Sequence, residues 1–328
     1  MQAVVPRLQQ PIGSLSGRLP PGMGCMGLSE FYTRRHDGQE AATIRYAFER
    51  GVSLFDTADM YGHGENERLV GSALRPFRRH VRVSSKFGIV RESGAKRIDG
   101  RPEYVKQACE ASLRRLQTDW IDLYYIHRLD PATPVEDTVG AMTRLVEQGK
   151  IRAIGLSKID LAALRRAHAV FPVHAVQMEY SLMQRDIETD VLPFCRMAGI
   201  TVVAYSALCK GLLTGVFAGL ETLDAADWRR KDPRFTTQGL AKADATLASL
   251  ARVANRRGCT PACLALAWVW AHAGVMPLPG LRTRAQVDDC VAASTLEVSR
   301  EEMTLLEGGT GSDSEKVYAD SKDQEQFS

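Results

Sequence analysis

Short apolar runs of four to seven residues alternate along this chain with longer stretches whose apolar residues recur at helical spacing. The runs at 23–28, 52–55, 81–86, 121–127, 153–157, 175–179, 201–205 and 275–279 predict strands. The periodic stretches at 39–50, 65–74, 102–116, 135–148, 161–168, 188–198 and 241–257 predict the helices between them, with a further helix over 261–271 before the last strand. Gly51, Gly149 and Gly199 fall where a helix has to end before the next strand, the place a helix C-cap favours glycine. Strand–helix alternation predicts a parallel sheet with helical crossovers, and eight repeats favour a single α/β domain, a closed (β/α)8 TIM barrel. A doubly wound open sheet is the alternative, but no Gly-x-Gly-x-x-Gly follows an early strand.

Three stretches fall outside this rhythm. The segment 210–238 is long and mixed, with Gly211, Gly215, Gly219 and Pro233, and reads as a functional lid or a disordered loop. The stretch 308–328 is polar and reads as a flexible tail, and 1–20 as a lead-in, which leaves 21–307 for the barrel. Of the 328 residues 45% are hydrophobic, enough for one sizeable core. With 42 basic and 39 acidic residues the net charge is +3, and the arginines are scattered rather than gathered in a stripe, which argues against a nucleic-acid partner. No apolar run approaches the roughly 20 residues that span a bilayer, and residues 1–7 lack the apolar core of a secretion signal, so a cytoplasmic enzyme is expected. The seven cysteines, odd in number and widely spread, read as free thiols. Cys259 and Cys263 stand four apart, but no partner pair has metal-site spacing, so both read as core residues and no metal is expected.

The candidate chemistry sits at strand ends. Asp56 and Tyr61 follow the second predicted strand, Lys86 ends the third and His127 ends the fourth. Taken singly, the aspartate suits a turn, the lysine a solvated surface, the histidine a packed or capping position and the tyrosine a loop closure. Taken together they make a proton-transfer site where a barrel builds one, at the C-terminal ends of its strands. The phenol would be the acid, the ammonium would lower its pKa, the carboxylate would hold the ammonium, and the imidazole would orient a carbonyl oxygen. Such a group polarises C=O and needs a hydride from elsewhere.

From about Gly22 to Ala293 the chain resembles the aldo-keto reductase superfamily. The matching motifs are Asp56-Thr57-Ala58 with Tyr61-Gly62, then Ser85-Lys86, then Asp122-Leu123-Tyr124-Tyr125-Ile126-His127. The resemblance implies Tyr61 as general acid, Asp56 and Lys86 tuning it, and His127 positioning the carbonyl. It also implies a nicotinamide pocket in which Ser157 and Gln177 hold the carboxamide and Tyr205 stacks on the ring, with Met26, Ser206 and Leu208 alongside. Lys210, Gly211 and Leu213 resemble the loop over the pyrophosphate. Gly280 and Arg282 resemble the grip on the 2′-phosphate, and Gln286, Asp289 and Cys290 the adenine site. A guanidinium binds phosphate bidentately, so Arg282 favours NADPH (NADP+) over NADH. Lys158, Met178, Ala207, Asp289 and Cys290 depart from the residues most relatives carry there. The implied activity is NADPH-dependent reduction of a small-molecule aldehyde or ketone, with sugars and secondary-metabolite carbonyls as candidates. The other readings are an NADP(H)-binding regulatory or sensor subunit with little turnover, and a metal-dependent barrel hydrolase, for which the sequence offers no clustered His/Asp ligands.

Overall fold

The computed structural model describes residues 20–29, 32, 38–92 and 95–308 of the chain. The lead-in expected at 1–20 and the tail expected at 308–328 lie outside them but for Pro20 and Gly308. The first elements are β1 (Gly22–Gly24), α1 (Glu40–Glu49), β2 (Leu54–Asp56), α2 (Glu65–Leu74) and β3 (Arg82–Phe87). A hairpin of β4 (Ile89–Glu92) and β5 (Ala95–Ile98) follows, then α3 (Pro102–Leu116), β6 (Leu123–Ile126), α4 (Val135–Glu147), β7 (Ile154–Ser157) and α5 (Leu161–Val170). The chain continues through β8 (Val173–Glu179), α6 (Val191–Ala198), β9 (Thr201–Tyr205), α7 (Thr237–Arg256), α8 (Pro261–Trp270), β10 (Val275–Leu278), α9 (Arg284–Ala293) and α10 (Arg300–Glu307).

Eight of these strands pair in parallel in the order β1-β2-β3-β6-β7-β8-β9-β10. The ends of that order meet where Gly24 bridges Gly280 and its N–H donates to Pro279 O over 2.8 Å, so the sheet closes on itself as a (β/α)8 barrel. The expected strand 23–28 is shorter than anticipated. It stops at Gly24, and Met26–Leu28 turn as a 3-10 helix, because Cys25 adopts a helical φ of −94° and ψ of −5°. The β4–β5 hairpin and helices α9 and α10 had no counterpart among the expected elements. Several helices open on a side-chain cap that takes up an orphan N–H, among them Asp160, Thr236, Thr260, Thr283 and Ser299.

The period of two along each strand sorts its residues. Phe55, Val83, Phe87, Tyr124, Ile126, Leu156, Val176 and Val202 point outward into the core shared with the helices. Leu54, Leu123, Tyr125, Ala153, Ala175, Val203, Met276 and Leu278 fill the barrel interior. Gly155 also points inward, and a Cβ placed there would lie 2.4 Å from Cδ1 and Cε1 of Tyr125. The Tyr125 ring therefore occupies the volume a side chain at 155 would take. Gly155→Ala is expected to cost about 1–3 kcal/mol by overpacking. A chemical-denaturation midpoint unchanged in this variant would show that the ring has room to move.

Candidate active site

The inward positions at the C-terminal rim are polar, which a barrel core alone does not require. Asp56 ends β2, Ser84 and Lys86 alternate on β3, and His127 follows β6. Ser157 ends β7, Gln177 lies near the end of β8, and Tyr205 ends β9. Continuing the inward alternation of Leu54, Tyr125, Ala175 and Val203 delivers Asp56, His127, Gln177 and Tyr205 to one rim. Tyr61 arrives by a different route, as the first residue of the 3-10 turn Tyr61–Gly64 that follows the β2 loop.

Lys86, wholly buried, is the hub. Its ammonium donates to Asp56 Oδ2, to Thr57 O over 2.9 Å and to the Tyr61 hydroxyl over 3.3 Å. Its Nζ also lies 4.9 Å from the Tyr61 ring centroid. Asp56 is 4% exposed, and its other oxygen accepts from Ser84 Oγ over 2.7 Å and from Gln177 Nε2 over 3.1 Å. A buried carboxylate is tolerable when donors satisfy it, and Lys86, Ser84 and Gln177 supply them here. His127 meets Tyr61 edge to face, with centroids 5.8 Å apart and the planes at 86°.

The electrostatics assign states to these groups. Burial draws the Lys86 ammonium down, but Asp56 and then Tyr61 more than restore it, so it lies above its ordinary value and stays charged. Burial pushes the Tyr61 phenol up, and the pull of Lys86 in the other direction only moderates this. Lowering of the phenol by the ammonium, expected from the sequence, is therefore present but outweighed by desolvation. Burial, then Lys86, Arg128 and Lys158, hold His127 well below the usual imidazole value, so it is neutral at neutral pH. Its Nδ1 is buried without a hydrogen-bond partner. The result is a protonated phenol beside a charged ammonium and a neutral imidazole, able to give one proton and to polarise one oxygen.

The residues expected at a nucleotide are distributed unevenly. Ser157 and Gln177 are register partners on β7 and β8, both buried, and Gln177 already links to Asp56. The Tyr205 ring is half-buried at the rim, and the chain leaves β9 through left-handed backbone at Ser206, Cys209 and Lys210, with φ of 52°, 47° and 57°. Such backbone in non-glycine residues persists only where surroundings hold it, and it gathers at functional loops. Gly280 and Arg282 lie at the barrel seam, against the segment Gly24–Gly27 that carries Met26. Gly280 bridges Gly24, and a Cβ at Gly27 would lie 3.3 Å from Arg282 Cδ. The Arg282 N–H donates to Gln286 Oε1 over 2.7 Å, which ties both residues to the start of α9.

Four of the expected groups have surroundings of their own within the protein. Cys290 is fully buried in the core, its thiol pushed up to about 12 by burial, so it packs α9 and presents nothing to a ligand at the surface. Asp289 is half-buried, its carboxyl raised chiefly by desolvation while a hydrogen bond from Thr260 lowers it, which turns it toward the start of α8. The backbone N–H groups of Gly211 and Leu213, expected to face a pyrophosphate, both donate to Leu208 O, over 3.0 and 3.1 Å. Lys210 is buried, with its ammonium 2.6 Å from Asp232 Oδ2 and 3.8 Å from the Trp228 ring centroid. Asp232 also takes Arg234, which reaches across to Glu179 Oε1 over 2.5 Å at the end of β8. Lys210 thus ties the start of the long loop to its later part, which Arg234 ties to the barrel, a role its position in the sequence did not disclose.

Two site residues escaped the sequence reading. Ser84 stands two residues before Lys86, so the strand period places both on one face, a signal already present in the spacing. Arg128, next to His127, carried no signal beyond that adjacency.

The fold and the rim define a barrel enzyme with a lysine-backed phenol at its catalytic end. Residues 22–308 match the family model described as the Aldo/keto reductase family, and the chain belongs to that family. Its general chemistry is accordingly oxidoreduction at a carbonyl. The chain is similar to the glycerol dehydrogenase of Gluconobacter oxydans, with 31% identity, 88% of this chain and 90% of that one covered, and a TM-score of 0.81. It is likewise similar to an aldo/keto reductase from Klebsiella pneumoniae solved with NADP and acetate (32% identity, 88% and 89% covered, TM-score 0.68). A third relative is an aldo-keto reductase from Bacillus halodurans in its holo form (27% identity, 89% and 92% covered, TM-score 0.72). Among the described residues no helix is long and apolar enough to cross a membrane.

Proposed function

We propose that this chain reduces an aldehyde or ketone to the alcohol at the expense of NADPH, with Tyr61 as the general acid. The observation that carries the reading is the Lys86 ammonium shared between Asp56 and the Tyr61 hydroxyl at the catalytic rim. The donor set also fits a nicotinamide, with polar Ser157 and Gln177 at its amide and the half-buried Tyr205 ring as a stacking face. NADPH, when bound, supplies the hydride to the carbonyl carbon. As the carbon–oxygen π pair withdraws onto oxygen, Tyr61 gives that oxygen its proton, and the charge left on the phenolate is stabilised by Lys86. Neutral His127 orients the carbonyl oxygen without competing for the proton. Asp56 holds Lys86 charged and aimed, and Ser84 and Gln177 hold Asp56. Consumption of NADPH on addition of a panel of aldehydes and ketones tests the reading. Binding of NADPH with no turnover across that panel would favour the regulatory alternative.

Preference for the 2′-phosphate is placed on Arg282, a half-buried guanidinium at the seam. With Lys210 committed to Asp232, it is the cation of the last loop suited to phosphate. Arg282→Ala should weaken NADPH by about one to two decades while leaving NADH nearly unchanged, since a charged hydrogen bond contributes roughly 1.5–3 kcal/mol. Dissociation constants of both nucleotides at matched ionic strength check this. Equal weakening of the two would remove Arg282 from the phosphate.

A further inference from the structure

The rim carries positive charge that proton transfer does not use. Arg128 follows His127 directly, and its half-buried guanidinium donates to His127 O over 2.8 Å. Among the described residues no carboxylate pairs with it. Lys158 directly follows β7, the strand paired with the β6 strand that precedes His127 and Arg128. Lys158 adopts a left-handed φ of 48°, and its ammonium lies 5.8 Å from the Tyr205 ring centroid. The acidic side chain nearest Arg128 in sequence is turned elsewhere. Asp130 accepts from Gly100 N, Ala132 N and Thr133 Oγ1. Both cations nonetheless act on the site, since each lowers His127 and Arg128 also lowers Tyr61. A partly desolvated guanidinium without a counter-charge is unfavourable, and an anionic ligand group would relieve it.

We infer that Arg128, with Lys158 at the end of the neighbouring strand, makes the substrate side of this site a receptor for a carbonyl compound that also carries an oxyanion, a carboxylate or a phosphate. The inference rests on the carbonyl-reductase reading and narrows its substrate class. The guanidinium fork meets either oxyanion with two parallel hydrogen bonds, and the ammonium adds a point charge. Since that group does not change during hydride transfer, its contacts are equal in ground and transition states and should be read mainly in KM.

The test is steady-state kinetics of the full chain with NADPH on two matched pairs, butanal against 4-oxobutanoate and glyceraldehyde against glyceraldehyde 3-phosphate. The charged member of at least one pair should be favoured about 10–100-fold in kcat/KM, the range a charge-assisted contact provides. The pair that shows it distinguishes carboxylate from phosphate. Arg128→Met should collapse that ratio and Arg128→Lys should keep part of it. Comparing two substrates on one variant cancels any effect of the substitution on folding or on the acid. Wild type treating both pairs alike, or Arg128→Met leaving the ratio unchanged, would overturn the inference. If no carbonyl is turned over, the carbonyl-reductase reading fails separately, and titration calorimetry of succinate and glycerol 3-phosphate into the NADP+-loaded protein decides the anion site. Affinity lost in Arg128→Met supports it, and no binding of either oxyanion to wild type refutes it.

Discussion

Tyr61→Phe is expected to lower kcat by about 10²–10⁴-fold, the range lost with a general acid. The substitution removes one oxygen and keeps the ring that meets His127 edge to face at 5.8 Å. Lys86 loses one acceptor but retains Asp56 and Thr57 O, so the buried ammonium stays satisfied and the fold should hold. Loss of an interaction made only in the transition state lowers kcat and kcat/KM together, and NADPH affinity should change little. More than half the wild-type turnover in the Phe variant would remove Tyr61 from the role of acid. The wild-type pH profile adds a second check. An acid must be protonated to act, so the rate falls as pH rises through its pKa, which for Tyr61 lies above the ordinary tyrosine value because burial outweighs Lys86. His127, held well below its usual value, should add no limb near neutrality. The reductive rate is thus expected to be level across neutral pH.

Much of this arrangement was readable from residue spacing, and the failures have physical causes. Alternating strands and helices announced the barrel, and the polar residues ending the second, third and fourth predicted strands announced Asp56, Lys86 and His127. The period of two then supports Ser84 as well, because Ser84, Lys86 and the barrel axis are fixed relative to one another by the pleat. What spacing does not carry is the partner of each group. Lys210 reads as a loop cation until Asp232 and Trp228, brought by the fold of a long irregular segment, are seen to hold it. Cys290 reads as a surface contact until the helical face of α9 turns it into the core. Gly211 and Leu213 read as free donors until the tight turn gives both N–H groups to Leu208. In each case the sequence suggested a ligand contact and the fold supplied an internal partner instead, an ion pair for Lys210, core packing for Cys290 and a backbone carbonyl for the two N–H groups. The lowered pKa expected for Tyr61 failed similarly, since the lysine was visible in the sequence and the degree of burial was not.

Lys86→Met tests the coupling on which the proposed chemistry depends, and its effect should be the largest. The variant keeps a long apolar stem but removes the charge that the phenolate needs as it forms, so turnover should fall at least as far as in Tyr61→Phe. Any residual activity should carry a signature that Tyr61→Phe lacks. Without the ammonium, the burial and the Asp56 charge that raise the phenol are opposed by Arg128 without Lys86, so its pKa should climb further and the alkaline fall of the rate should move to higher pH. Stability should suffer too. Asp56 would remain buried with only Ser84 and Gln177 as donors, and breaking a buried pair by removing one partner costs about 3–5 kcal/mol. A lowered denaturation midpoint is therefore expected and must be measured on the same preparation. Asp56→Asn breaks the same buried pair from the other side while leaving Lys86 beside Tyr61, so it should lower stability as well and damage turnover without removing the ammonium from the phenol. If folded Lys86→Met protein showed residual turnover with an unshifted pH profile, Lys86 would be a structural support of the barrel rim and the proton would have to be managed without it.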